Sequence, residues 1–193
     1  MGLHVPGTTF FAPGTMARDA AVRESARAVL DAIDRGPRYR PIGHVLDERA
    51  FVNGLVGLMS TGGSTNLTLH LIAMAAAGGI KLTWDDMNDI SEATPLLARV
   101  YPNGSADVNA MEAAGGLPFL IDQLRGAGYL HTDVQTLTEN GLDDYGRVAK
   151  VAVDGTLSYE PAPAVSGLPD VLTTADQPFQ RNGGLRVLSG NLG

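Results

Sequence analysis

The run Thr61-Gly62-Gly63-Ser64-Thr65-Asn66, with His70 four residues beyond Asn66, is the stretch of this sequence best suited to holding a ligand. Adjacent glycines let the backbone approach a bound group closely. Free N–H groups at the start of a following helix, with the positive end of its dipole, favour a carboxylate or phosphate. Residues four apart share a helical face, so Asn66 and His70 can flank one mouth. Ser64, Thr65, Asn66 and His70 are therefore the candidate substrate-binding residues. They also read without a ligand: the glycines permit close helix packing, Ser64 or Thr65 is a plain N-cap, and His70 is a hydrogen-bonded core histidine.

A second polar turn, Tyr101-Pro102-Asn103-Gly104-Ser105-Ala106-Asp107, offers Asn103 and Ser105 to a polar substrate, or is turn chemistry with Asp107 as a cap. The carboxylate pairs Asp85-Asp86 and Asp143-Asp144 suit helix starts and solubility better than a metal. His4, His44 and His131 have no partner at ligand spacing and read as surface or turn histidines. No residue is assigned a catalytic or metal-binding role.

These turns need helices to place them. Residues 16 to 34 read as an amphipathic helix with Val22, Ala26, Val29 and Ile33 on its apolar stripe, stopped at Gly36-Pro37. A second helix begins after Asp47 as N-cap and is apolar nearly all round, hence buried, up to the glycine turn at residue 62. The third, from Thr65 to Ala77, carries Leu67, Leu69, Leu71, Ile72 and Met74, so the two form a core hairpin. Thr83-Trp84-Asp85-Asp86 resembles a capping box opening a short helix that ends before Pro95. Asp107 caps a helix through Ala114, and Pro118 suits the first turn of one running to Arg125. Beyond residue 130 the texture changes: 147–153 alternate like a strand, Asp154-Gly155 signals a hairpin, and Pro161, Pro163 and Pro169 stiffen the next stretch as a linker. Residues 185–193 read as a further strand and turn.

Length and composition bound the function. The chain has 193 residues, enough for one domain or one domain and part of another. Hydrophobic residues make up 44% without an apolar run near the roughly 20 residues that cross a bilayer. With no basic and apolar leader pattern at the start, a cytoplasmic protein is expected. The net charge of −7 repels nucleic acid. The chain contains no cysteine, so it has no thiolate for nucleophilic work or for iron–sulfur ligation.

Taken together, Phe51-Val52-Asn53, the Thr61 to Asn66 run, His70-Leu71, Trp84-Asp85-Asp86, Tyr101-Pro102-Asn103-Gly104, Ala114-Gly115-Gly116-Leu117-Pro118, Leu130-His131-Thr132-Asp133-Val134 and Val187-Leu188-Ser189-Gly190-Asn191-Leu192 resemble the dihydroxy-acid/6-phosphogluconate dehydratase family, in the family's order. Gly2-Leu3-His4-Val5-Pro6-Gly7, Val100-Tyr101-Pro102-Asn103-Gly104 and Leu188-Ser189-Gly190-Asn191 look more like its 6-phosphogluconate branch. The resemblance implies an α/β fold: a mainly helical portion of the N-terminal α/β domain (residues 1–146), a linker (147–182), and the first strand of a C-terminal β-rich domain (183–193). It implies a hydro-lyase of the Entner–Doudoroff pathway that converts 6-phosphogluconate to 2-keto-3-deoxy-6-phosphogluconate with a 4Fe–4S iron–sulfur cluster, as a homodimer. The family's cysteine motifs, its Cys-Asp-Lys motif and its Thr-Asp-Gly-Arg-x-Ser motif are not in this sequence. The chain is therefore expected to be an internal piece, to hold no cluster itself and to be inactive alone. A related sugar-acid or dihydroxy-acid dehydratase, or a non-catalytic scaffold derived from the family, are the alternatives.

Overall fold

The computed structural model describes residues 1–191; Leu192 and Gly193 lie outside the described residues. Among the described residues seven α-helices run in chain order: α1 Met16–Ile33, α2 Ile42–Val45, α3 Glu48–Thr61, α4 Thr65–Ala77, α5 Trp84–Ala93, α6 Val108–Ala113 and α7 Gly116–Gly126. A 3-10 helix, Gly141–Gly146, leads into an antiparallel hairpin of β1 Arg147–Val151 and β2 Leu157–Pro161, paired with Arg147 opposite Pro161 and Val151 opposite Leu157. The fold is α/β with helix predominant among the described residues.

The helix starts are set by local chemistry. Asp47 accepts the Ala50 N–H and Asp107 accepts the Ala110 N–H, both at 2.9 Å. At α5, the Thr83 hydroxyl accepts the Asp86 N–H at 3.2 Å while the Asp86 carboxylate accepts the Thr83 N–H at 2.8 Å. That reciprocal pair is the expected capping box, and the Thr83 hydroxyl and N–H hold the Asp86 carboxyl below its ordinary range.

Helix α3 is the hub. Val56 belongs to one core cluster with Leu97, Val100, Met111, Phe119, Leu120, Leu124 and Leu172, whereas Phe51, Leu55, Leu58 and Met59 form another with Leu71, Ala75 and Met87. The all-round apolar character of this helix is matched by burial on both sides. Extended segment 96–98 lies beside it, fully buried, where the Leu97 N–H donates to the Ser60 carbonyl at 2.8 Å and Leu97 accepts the Thr173 N–H at 2.9 Å.

Three expectations are corrected. Helix α4 is not buried: only Leu71 and Ala75 are covered, and Leu67, Leu69 and Met74 are exposed. Its apolar residues surround the axis, but the second cluster covers it along one face, through Leu71 and Ala75. On α1, the stripe of Val22, Ala26, Val29 and Ile33 faces outward. The helix instead seats Ala20 and Ala21 against the hairpin, because small side chains allow the backbones to approach. Residues 185–191 form no strand. They are drawn onto the helices, with the Gly183 N–H donating to the Ser91 carbonyl at 2.6 Å, the Gly184 N–H to Met59 at 2.9 Å, and Leu185 and Val187 packing on the second cluster. Within 147–182, β1 contacts α1 and α7, and Leu172 is fully buried.

Candidate functional site

The candidate turn joins α3 to α4. Gly62 ends α3 in the left-handed conformation, φ 57° and ψ 37°, which a side chain would strain. Ser64 then caps α4, its hydroxyl accepting the Asn66 N–H at 3.2 Å. Asn66 Nδ2 lies 3.3 Å from His70 Nε2, so the helical spacing does bring these two side chains together. Ser64, Thr65, Asn66 and His70 are all solvent-exposed. His70 is therefore not the core histidine of the ligand-free reading, whereas Ser64 is the N-cap which that reading expects.

Two other glycine-rich segments converge on this turn. The second polar turn carries a cis Tyr101–Pro102 peptide and sets Asn103 over Gly62: a methyl group on Gly62 would fall 2.8 Å from Asn103 Cγ. A methyl on Gly184 would meet Gly62 Cα at 2.5 Å and Asn103 Nδ2 at 2.9 Å. Bare backbone is needed there because three chain segments cross within contact distance.

Beside the turn a cavity of about 220 Å³ opens between α4, α5 and the 185–187 segment. Thr65 and Thr68 line it from α4, Trp84 from the start of α5, and Arg186 from the 185–187 segment. Of the four candidate residues, Thr65 alone is among those lining this cavity. In the sequence Trp84 marks only a helix start and Arg186 only part of an expected strand. The signal available was chemical: one tryptophan in the whole chain, and a lone basic residue in a glycine-flanked apolar run.

The chain has no cysteine, and among the described residues no group of three or more His, Cys, Asp or Glu is placed to hold a metal ion. These residues do not fit an iron–sulfur cluster. His4 lies edge-on to Tyr145, ring centroids 5.2 Å apart, and burial lowers its pKa. His131 is held through its backbone by Asn53.

A family model described as "Dihydroxy-acid/6-phosphogluconate dehydratase N-terminal" matches residues 1–145. The chain belongs to this family. It is 53% identical to a phosphogluconate dehydratase of Rhizobium meliloti (strain 1021) and 48% identical to one of Pseudomonas aeruginosa, in each case over 100% of this chain and 32% of that protein. A dihydroxy-acid dehydratase of Saccharolobus islandicus is 34% identical over 100% of this chain and 32% of its own length. The chain thus spans about a third of the length of these family members.

Proposed function

We propose that this chain is one segment of a hydro-lyase that dehydrates 6-phosphogluconate, and that its part is to bind and orient the anionic sugar acid. The observation that carries this reading is the contrast in similarity along the whole chain: 53% and 48% identity to phosphogluconate dehydratases against 34% to a dihydroxy-acid dehydratase. The reaction removes the proton beside the carboxylate and expels the neighbouring hydroxyl, leaving an enol that becomes a 2-keto-3-deoxy acid. This chain supplies neither the base nor the group that stabilises the departing hydroxyl. Its contribution is the turn of Ser64, Thr65, Asn66 and His70, where the exposed start of α4 suits an acid.

The 4Fe–4S cluster, homodimer and cytoplasmic location belong to the same reading of the whole protein, with the cluster thiolates outside this chain. No helix among the described residues is long and apolar enough to cross a membrane, and the net charge is −7. Residues 1–146 are the N-terminal domain portion, 147–182 a connecting region docked on it and 183–193 the start of the following domain.

The test is an assay of the full-length protein for 2-keto-3-deoxy acid from 6-phosphogluconate and from a branched dihydroxy acid, beside this chain alone after anaerobic iron–sulfur reconstitution. The expected result is turnover of 6-phosphogluconate by the full-length protein, with neither stoichiometric iron nor turnover in the chain alone. Preference for the dihydroxy acid, or cluster absorbance in this chain, would overturn the reading.

A further inference from the structure

The cavity beside α4 has walls of three chemical kinds. Met59, Met87, Leu185 and Val187 make it apolar, Thr65 and Thr68 bring hydroxyl-bearing side chains, and Trp84 and Arg186 add an indole and a guanidinium. An indole face takes the C–H surface of a polyol, and hydroxyls pair with its alcohol groups. A guanidinium is the side chain best matched to phosphate, offering several N–H donors in a planar fork. At about 220 Å³ the cavity is below the usual range for a whole drug-sized ligand, ~300–1,000 Å³. It suits one end of a sugar phosphate.

Arg186 is held in place by a carboxylate. Its Nη1 donates to Glu92 Oε1 at 2.8 Å, and both side chains remain about half exposed, 45% and 58%. An ion pair at that exposure adds little stability, yet it holds the guanidinium against one edge while leaving it accessible. We infer that this slot receives the phosphate-bearing end of the sugar acid, with Arg186 as the side chain that distinguishes a phosphorylated substrate from its unphosphorylated counterpart. This rests on the sugar-acid reading above and adds to it a place for the phosphate. Glu92 then positions the guanidinium while competing with the incoming anion.

Trp84 is the sole tryptophan of the chain, so its fluorescence reports on the slot directly. The 193-residue chain is titrated with inorganic phosphate, 6-phosphogluconate and gluconate, alongside Arg186→Ala, Arg186→Lys and Glu92→Gln, each checked for native circular dichroism. The expected result is a saturable response to 6-phosphogluconate at a concentration at least tenfold below that for gluconate. Arg186→Ala should erase this advantage, Arg186→Lys should restore part of it, and Glu92→Gln should tighten phosphate binding. The two substitutions Arg186→Ala and Glu92→Gln break the same ion pair, so a merely structural role would make them act alike. Parallel weakening by both, unchanged titration of Arg186→Ala, or no saturable response to any of the three probes overturns the inference. Equal binding of gluconate and 6-phosphogluconate that survives Arg186→Ala but is lost in Ser64→Ala would sink the phosphate subsite and leave the sugar-acid reading standing. A response to inorganic phosphate alone, lost in Arg186→Ala, would keep the subsite and remove the sugar acid.

Discussion

The side chain of Asn53 is paired twice with the backbone of His131, accepting its N–H at 2.8 Å and donating to its carbonyl at 2.9 Å. Asn53 sits in the middle of α3, only 6% exposed, so one side-chain amide replaces a strand neighbour for the loop after α7. Asn53→Ala would leave both backbone groups of His131 without this partner. Stability should fall by about 1–3 kcal/mol, read as a lower urea midpoint at unchanged slope. An unchanged midpoint would mean that water replaces the pair without loss.

Gly62 carries the left-handed end of α3 beneath Asn103. Gly62→Ala adds both backbone strain and a clash, for a loss of about 1–3 kcal/mol. Asn103→Ala in the same chain removes the closest part of the clash, leaving its Cβ at 3.0 Å, and does not touch the strain. The double variant should therefore recover part of the loss, and strictly additive losses in a double-mutant cycle by chemical denaturation would show that the contact carries no energy.

The depressed pKa of Asp86, caused by the Thr83 hydroxyl and then the Thr83 N–H, has a defined sign. A carboxylate held below its unfolded value, about 3.9, stabilises the fold above that pH and loses its contribution as the pH falls through the folded value. Asp86→Asn should accordingly be less stable than the parent at pH 7 and lose less on acidification below about pH 4. Because the side chain is exposed, the effect should be small. Thermal melts at pH 7 and pH 3 check it, and a gap that widens on acidification would contradict the capping role.

Exposed apolar faces on α1 and α4 should make the isolated chain associate as its concentration rises. Val29, 57% exposed, and Leu69, 58% exposed, lie on these faces away from the core contacts. Val29→Glu and Leu69→Glu should shift sedimentation towards monomer with little change in melting temperature, since neither residue leaves a buried cavity. A melting temperature lowered by several degrees would show instead that these faces are packed within the chain.

Much of the local structure was legible because its causes are local. Asp47, Thr83 and Asp107 each bond an N–H three residues on, so their helices could be placed from the sequence, as could the hairpin at Asp154-Gly155, where Gly155 has φ 79°. The Asn66–His70 pairing was equally readable, being a matter of one helical turn. Absence of a thiolate needs no structure at all.

Which faces are covered was not legible, because periodicity records where apolar side chains lie around an axis and not what docks against them. Val22, Val29 and Ile33 form a sound stripe, yet Ala20 and Ala21 meet the hairpin. Leu185 to Val187 alternate as a strand would, but without a strand partner they pack on α3 and α5. The same docking sets Asn103 over Gly62 and brings Arg186 and Trp84 to one cavity. By itself the sequence determined the longer helices, the caps at Asp47, Thr83 and Asp107, the family and the lack of cluster ligands, since these depend on residue identity and near-neighbour geometry. Only the tertiary structure decided the exposed faces of α1 and α4 and the slot between Trp84 and Arg186, because those depend on contacts between residues distant along the chain.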